Sequence, residues 1–128
     1  MNTRTTPILS RAAIAGHPIH PMLIHFPVAA LIALVATDAA YLYGGDPFWA
    51  RAGLWLAGVG ALGGWVASVA GLIDLLSVKQ IRRLITAWAH ALMAVMMLSM
   101  ATLNWQLRLG EEAGQFVMPW GMGLSLLT

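Results

Sequence analysis

Three stretches of this 128-residue chain, 22–43, 48–77 and 84–108, run almost free of charge between the places where charge, Gly and Pro collect. A helix needs roughly 20 apolar residues to cross a bilayer core of about 30 Å, and each stretch exceeds that. A soluble domain carries about 25% charged residues. Here Asp, Glu, Lys and Arg make up 9%, hydrophobic residues 59%, and the mean hydropathy is +0.75. The predicted fold class is therefore all-α: a multi-pass transmembrane helical bundle of three full spans, with the lipid bilayer as its surroundings. A disordered chain and a nucleic-acid partner are excluded on the same arithmetic. A fourth stretch, 116–128, would reach only about 20 Å as a helix, so it is expected to be re-entrant or a truncated span.

Residues 1–21 read as a retained cytoplasmic tail and 22–128 as the membrane domain. The apolar part of the tail is too short for a cleaved signal peptide. Arg4 and Arg11 in the tail and Lys79, Arg82 and Arg83 in the second loop hold five of the seven basic residues. The positive-inside rule then predicts a bacterial inner-membrane protein with its N-terminus in the cytoplasm. The opposite side has Arg51 and Arg108 set against Asp46, Glu111 and Glu112. With a net charge of only +2, the basicity reads as an orientation signal and not as an anion-binding surface. Trp49, Trp105, Tyr41 and Tyr43 fall near helix ends, as an interfacial aromatic belt requires. The chain has no cysteine, which excludes disulfides, thiolate metal sites and cysteine nucleophiles.

Positions three, four and seven apart share a helix face. On the first span, His25, Ala29, Ala33, Ala36 and Ala40 form one stripe, and Asp38 points roughly the other way, towards the interface or a neighbouring subunit. On the second, Gly53, Ala57, Gly60, Gly64, Ser68 and Gly71 form a strip of small side chains. On the third, Thr86, His90, Ala94, Met97, Ala101 and Asn104 share a face. In lipid, small and polar faces turn towards protein, so each of these is expected to pack inward. The glycine strip suits close helix packing and would equally admit a flat cofactor such as a porphyrin.

Gly16-His17-Pro18-Ile19-His20-Pro21, followed by His25-Phe26-Pro27, is the most informative stretch. Proline disfavours the α region in the residue before it, which predicts that His17 and His20 lie in an extended lead-in. Pro27 is then a kink that frees the carbonyl of Leu23, or the true helix start. Because the spans alternate in direction, His17, His20, His25, Asp74 and His90 are all expected at one membrane face. Ionisable groups inside a membrane mark ion paths, ligands or cofactor sites, although hydrogen-bonded structural histidines would give the same residues.

Three chemistries fit a binding site there. His25 and His90 at comparable depth suit two axial ligands of a haem iron. Several imidazoles with Asp74, as ligand or as orienting acceptor, would suit zinc, iron or copper. Proton transfer is the third. Met93, Met96, Met97 and Met100 spread around their helix as ordinary packing does. Ser68 and Ser77 have no Ser-His-acid arrangement, so nothing supports nucleophilic catalysis.

The Gly16–Pro21 motif, His25-Phe26-Pro27, Gly71-x-x-Asp74 and Ala89-His90-Ala91 resemble an uncharacterised family of bacterial four-helix membrane proteins, over about residues 14 to 110. Some of that family's relatives carry Rieske-type or cytochrome c-type modules. By analogy the resemblance implies a place in membrane electron transfer and favours haem over a free metal ion. The family's C-terminal Gly-Gly-x-x-Val-Tyr-x-His-Gly segment has no counterpart after Gly123.

The expectation is a small inner-membrane protein that binds b-type haem near the cytoplasmic face and passes electrons. His25 and His90 would be the axial ligands, His17 or His20 their substitutes or supports, and Asp74 an orienting acceptor. The alternatives are a non-enzymatic accessory subunit of a larger respiratory or photosynthetic complex, and a transition-metal binding or transport protein. Other membrane subunits or redox proteins would be the partners.

Overall fold

Pro18 is extended (φ −62°, ψ 129°), and the first long helix, α1 (Ile19–Gly44), starts directly after it. Ahead of α1, the strands β1 (Ala13–Ile14) and β2 (His17–Pro18) pair antiparallel across a two-residue turn. Ala15 (φ 49°) and Gly16 (φ 79°) both take left-handed backbone there, as the tightest hairpin turns require. The structure, a computed structural model, describes residues 8–110 and 113–128. Arg4, Glu111 and Glu112, counted above for orientation, lie outside the described residues.

Gly45 ends α1 in left-handed backbone, its N–H bonded to the Tyr41 carbonyl at 2.7 Å. Asp46 caps the next helix, α2 (Pro47–Ser77), by accepting from the Phe48 N–H at 2.9 Å, and Pro47 fills the first turn where no N–H is needed. A single turn, α3 (Lys79–Arg82), leads into α4 (Ile85–Leu107). The helices α1, α2 and α4, of 26, 31 and 23 residues, are each long and apolar enough to span a membrane. Beyond them come a short 3₁₀ turn (Ala113–Phe116), a bend at Val117–Gly121 in which Met118 is extended, and α5 (Met122–Leu127). At six residues, α5 rises only about 9 Å and does not cross.

α2 packs against both α1 and α4 along its glycine strip. A Cβ at Gly60 would fall 2.5 Å from Leu31, and one at Gly64 would collide with Leu98. Large side chains from the two flanking helices thus fill notches in the middle one. Leu31, Leu34, Ala57, Ala61 and Ala101 form the buried core. Outward-facing Ile32, Trp55, Leu62, Val66, Leu92 and Leu103 are exposed, as lipid-facing positions must be.

The alanine stripe of α1 does not face protein. Its buried side is Pro27, Ala30, Leu31, Leu34, Thr37 and Asp38, while His25, Ala29 and Ala36 are exposed. The reason is complementarity: α2 already supplies the small surface, so α1 contributes the bulky one. On α4 the inward face does include Ala101 and Asn104, with Leu98 between the expected positions.

Candidate functional site

Two polar constellations occupy opposite ends of the bundle. At the end where α1 and α4 begin and α2 finishes, a cavity of about 490 Å³ opens between the helices. Its wall includes His20, Trp65, Ser68, Gly71, Asp74 and His90. The rings of His20 and His90 stand 6.4 Å apart, centre to centre, with their planes at 83°. His20 Nδ1 lies 2.8 Å from the Ala67 carbonyl. A carbonyl only accepts, so Nδ1 carries the proton in that bond, and in the neutral imidazole Nε2 is the nitrogen with the lone pair. The ring of His20 comes close to α2 because Gly71 has no side chain: a Cβ there would lie 3.1 Å from His20 Nδ1.

His20 is not in an extended lead-in. It is the second residue of α1, because Pro18 ends the hairpin and Pro21 is accommodated in the first turn. That places His20 and His25 on one regular helix, five residues and about 140° apart. His20 faces the cavity, and His25 is exposed and outside its wall. His17 sits in β2, exposed, with Nδ1 3.0 Å from the Ala15 carbonyl. The structure therefore brings His20, His90 and Asp74 together and leaves His17 and His25 apart. Among the described residues, no three His, Asp or Glu side chains gather as a metal-binding group.

Asp74 has a different task from orienting an imidazole. Its Oδ1 accepts the backbone N–H groups of Arg11 (2.7 Å) and Ala12 (3.0 Å), and its Oδ2 accepts the Ser10 hydroxyl. One carboxylate thus ties the N-terminal segment down over the end of the bundle. Ile8 and Ser10 of that segment form part of the cavity wall.

The second constellation was not legible as a site. Asp38, expected at the interface or against another subunit, is fully buried, and so is Arg108. The Arg108 guanidinium donates Nη1 to Asp38 Oδ1 at 2.7 Å and Nη2 to Oδ2 at 2.6 Å, while Nε donates to Asn104 Oδ1 at 2.8 Å. Ser125 of α5 accepts from Asn104 Nδ2 and Arg108 Nη2 and donates to Asp38 Oδ2. Gly53 makes room: a Cβ there would lie 2.8 Å from Arg108 Nη1. Charges in an apolar interior are tolerated when paired and fully hydrogen-bonded. No buried side-chain polar atom among the described residues lacks a partner, and the bonds of this cluster hold α1, α4 and α5 together.

The family model described as a predicted membrane protein, DUF2231, matches residues 16–128, and the chain belongs to that family. The match runs through the C-terminal segment as well as through the histidine motif, so the likeness does not stop near residue 110. No curated protein and no solved structure matches the chain.

Proposed function

We propose that this DUF2231 member binds b-type haem in the cavity between α1, α2 and α4 and takes part in membrane electron transfer, with His20 and His90 as the residues that would hold it. The observation that carries this reading is the disposition of the two imidazoles. Two rings that ligate one metal from opposite sides through nitrogens at about 2.0 Å have their centres roughly 6 Å apart, and the 6.4 Å separation of His20 and His90 is compatible with that spacing. The hydrogen bond from His20 Nδ1 to Ala67 is of the kind that orients a ligating imidazole and raises its basicity. Gly71, Ala87, Ala91 and Ala94 leave the wall low, as a flat apolar group needs.

When bound, haem supplies reversible one-electron chemistry at iron. The chain's own residues perform the rest. His20 and His90 would hold the group from α1 and α4, the small residues of α2 and α4 would seat it, and Asp74 fastens segment 10–12 beside it. The end of the bundle with Arg11, Lys79, Arg82 and Arg83 is read as cytoplasmic. Support comes from the opposite end, where Arg108 is neutralised by Asp38 and Arg51 is left as the exposed cation.

The test is the visible spectrum of detergent-purified protein expressed with added haem precursor, oxidised and then dithionite-reduced, with elemental analysis. A Soret band that shifts and sharpens on reduction, with iron near one per chain, supports the reading. A featureless spectrum overturns it, and a stoichiometric metal without porphyrin absorbance replaces it with a transition-metal site.

A further inference from the structure

The segment 8–11 divides its residues between two different hollows. Ile8 and Ser10 face the histidine cavity, while Leu9 and Arg11 line a second cavity of about 560 Å³ at the end of α2. Ser77, Lys79, Gln80 and Arg83 complete the polar side of this second cavity, and among the described residues no carboxylate lines it. Among the described residues, the charged ends of Arg11, Lys79 and Arg83 have no hydrogen-bond or ion-pair partner. Asp74, the nearest acid in sequence to the loop, leaves them uncompensated because its oxygens are committed to Ser10 and to the Arg11 and Ala12 backbone N–H groups. The same bonds fix Arg11 in place opposite Lys79 and Arg83, which the α2–α4 connection supplies. Three cations from two distant parts of the sequence thus converge on one hollow.

We propose that this second cavity binds a phosphate group, carried by the headgroup of an anionic phospholipid or by a soluble phosphate. Guanidinium groups match phosphate oxygens in pairs, and a lysine ammonium adds a point charge. The position favours the lipid source. The cavity lies just where α2 leaves its apolar stretch, and basic pockets beside membrane helices at that level suit anionic headgroups. Leu9, 76% exposed, stands at its edge, an apolar neighbour suited to the glycerol end of a lipid. The site shares no lining residue with the histidine cavity, so it stands whether or not haem binds there.

Native mass spectrometry of the full chain in a neutral detergent tests it, with phosphatidylglycerol and phosphatidylcholine offered at equal concentration. Phosphatidylglycerol should be retained about tenfold or more over phosphatidylcholine, and the preference should vanish in the Arg11→Ala/Lys79→Ala/Arg83→Ala variant. Arg11→Lys with Arg83→Lys keeps the charge and should keep the preference. Arg82→Gln removes a charge at the same end but outside the lining and should keep it too. Inorganic phosphate separates the sources: competition with the lipid at millimolar phosphate assigns the site to soluble phosphate, and indifference assigns it to the headgroup. Equal retention of the two lipids, no loss in the folded triple variant, or an equal loss in Arg82→Gln would overturn the proposal.

Discussion

Arg108 and Asp38, 70 residues apart in sequence, meet through two parallel hydrogen bonds of 2.7 and 2.6 Å with neither side chain exposed. The pair closes the bundle at the end opposite the histidines. It also determines how α1 is rotated: a buried acid must face the interior, and everything on its face follows it inward.

Removing one partner leaves an uncompensated charge in an apolar setting. Arg108→Ala or Asp38→Ala should each destabilise the fold by about 3–5 kcal/mol, read from denaturant titration in mixed micelles. The double variant Asp38→Ala/Arg108→Ala should lose clearly less than the sum, because the orphaned charge is gone. Additive losses would mean that the pair is not coupled.

Ser125 ties α5 to the same pair. Ser125→Ala removes the hydroxyl that links Asn104, Arg108 and Asp38, and should cost about 1–3 kcal/mol. Hydrogen exchange should rise selectively over residues 113–128. An unchanged exchange pattern would detach α5 from the network.

The glycine strip makes a paired prediction. Gly64→Ala drives a methyl into Leu98 and should destabilise by about 1–3 kcal/mol. The neighbouring Gly63→Ala meets Pro27 at an ordinary 3.5 Å and should be neutral or slightly stabilising. Equal effects would contradict the packing of α4 on α2.

Asp74 anchors the N-terminal segment through a hydroxyl and two backbone N–H groups. Asp74→Ala should therefore expose the bond after Arg11 to trypsin about tenfold faster, the factor expected for losing charge-assisted hydrogen bonds. The absorbance of any cavity-bound group should change less than its off-rate. Unaltered cleavage would remove the anchoring role.

Much of the architecture is legible in the sequence, since length and hydropathy alone specify three spans and a short fourth element. The helix faces are harder. A stripe of alanines suggests an inward face on α1, yet the glycines of α2 had already filled the need for small residues, so Leu31 and Leu34 turn inward. Asp38 was the signal that resolves this. Eighteen residues is five full turns, so His20 and Asp38 share a face, and a buried Asp38 selects His20 over His25 for the interior. The tendency of a residue before proline to avoid the α region hid that relation by putting His20 in an extended lead-in, whereas the helix starts at Ile19 and takes in both His20 and Pro21. The partner of Asp38 was hidden as well, because Arg108 at the end of α4 counts in a linear reading as an interfacial charge.

Which imidazoles would hold the proposed haem is read from the reduced-minus-oxidised spectrum of His20→Ala, His90→Ala and His25→Ala, purified in parallel with the parent protein. The Soret signal should disappear in His20→Ala and His90→Ala and persist in His25→Ala, with all three variants retaining parent-like helicity. Loss in His25→Ala with retention in His20→Ala would contradict the proposed pair.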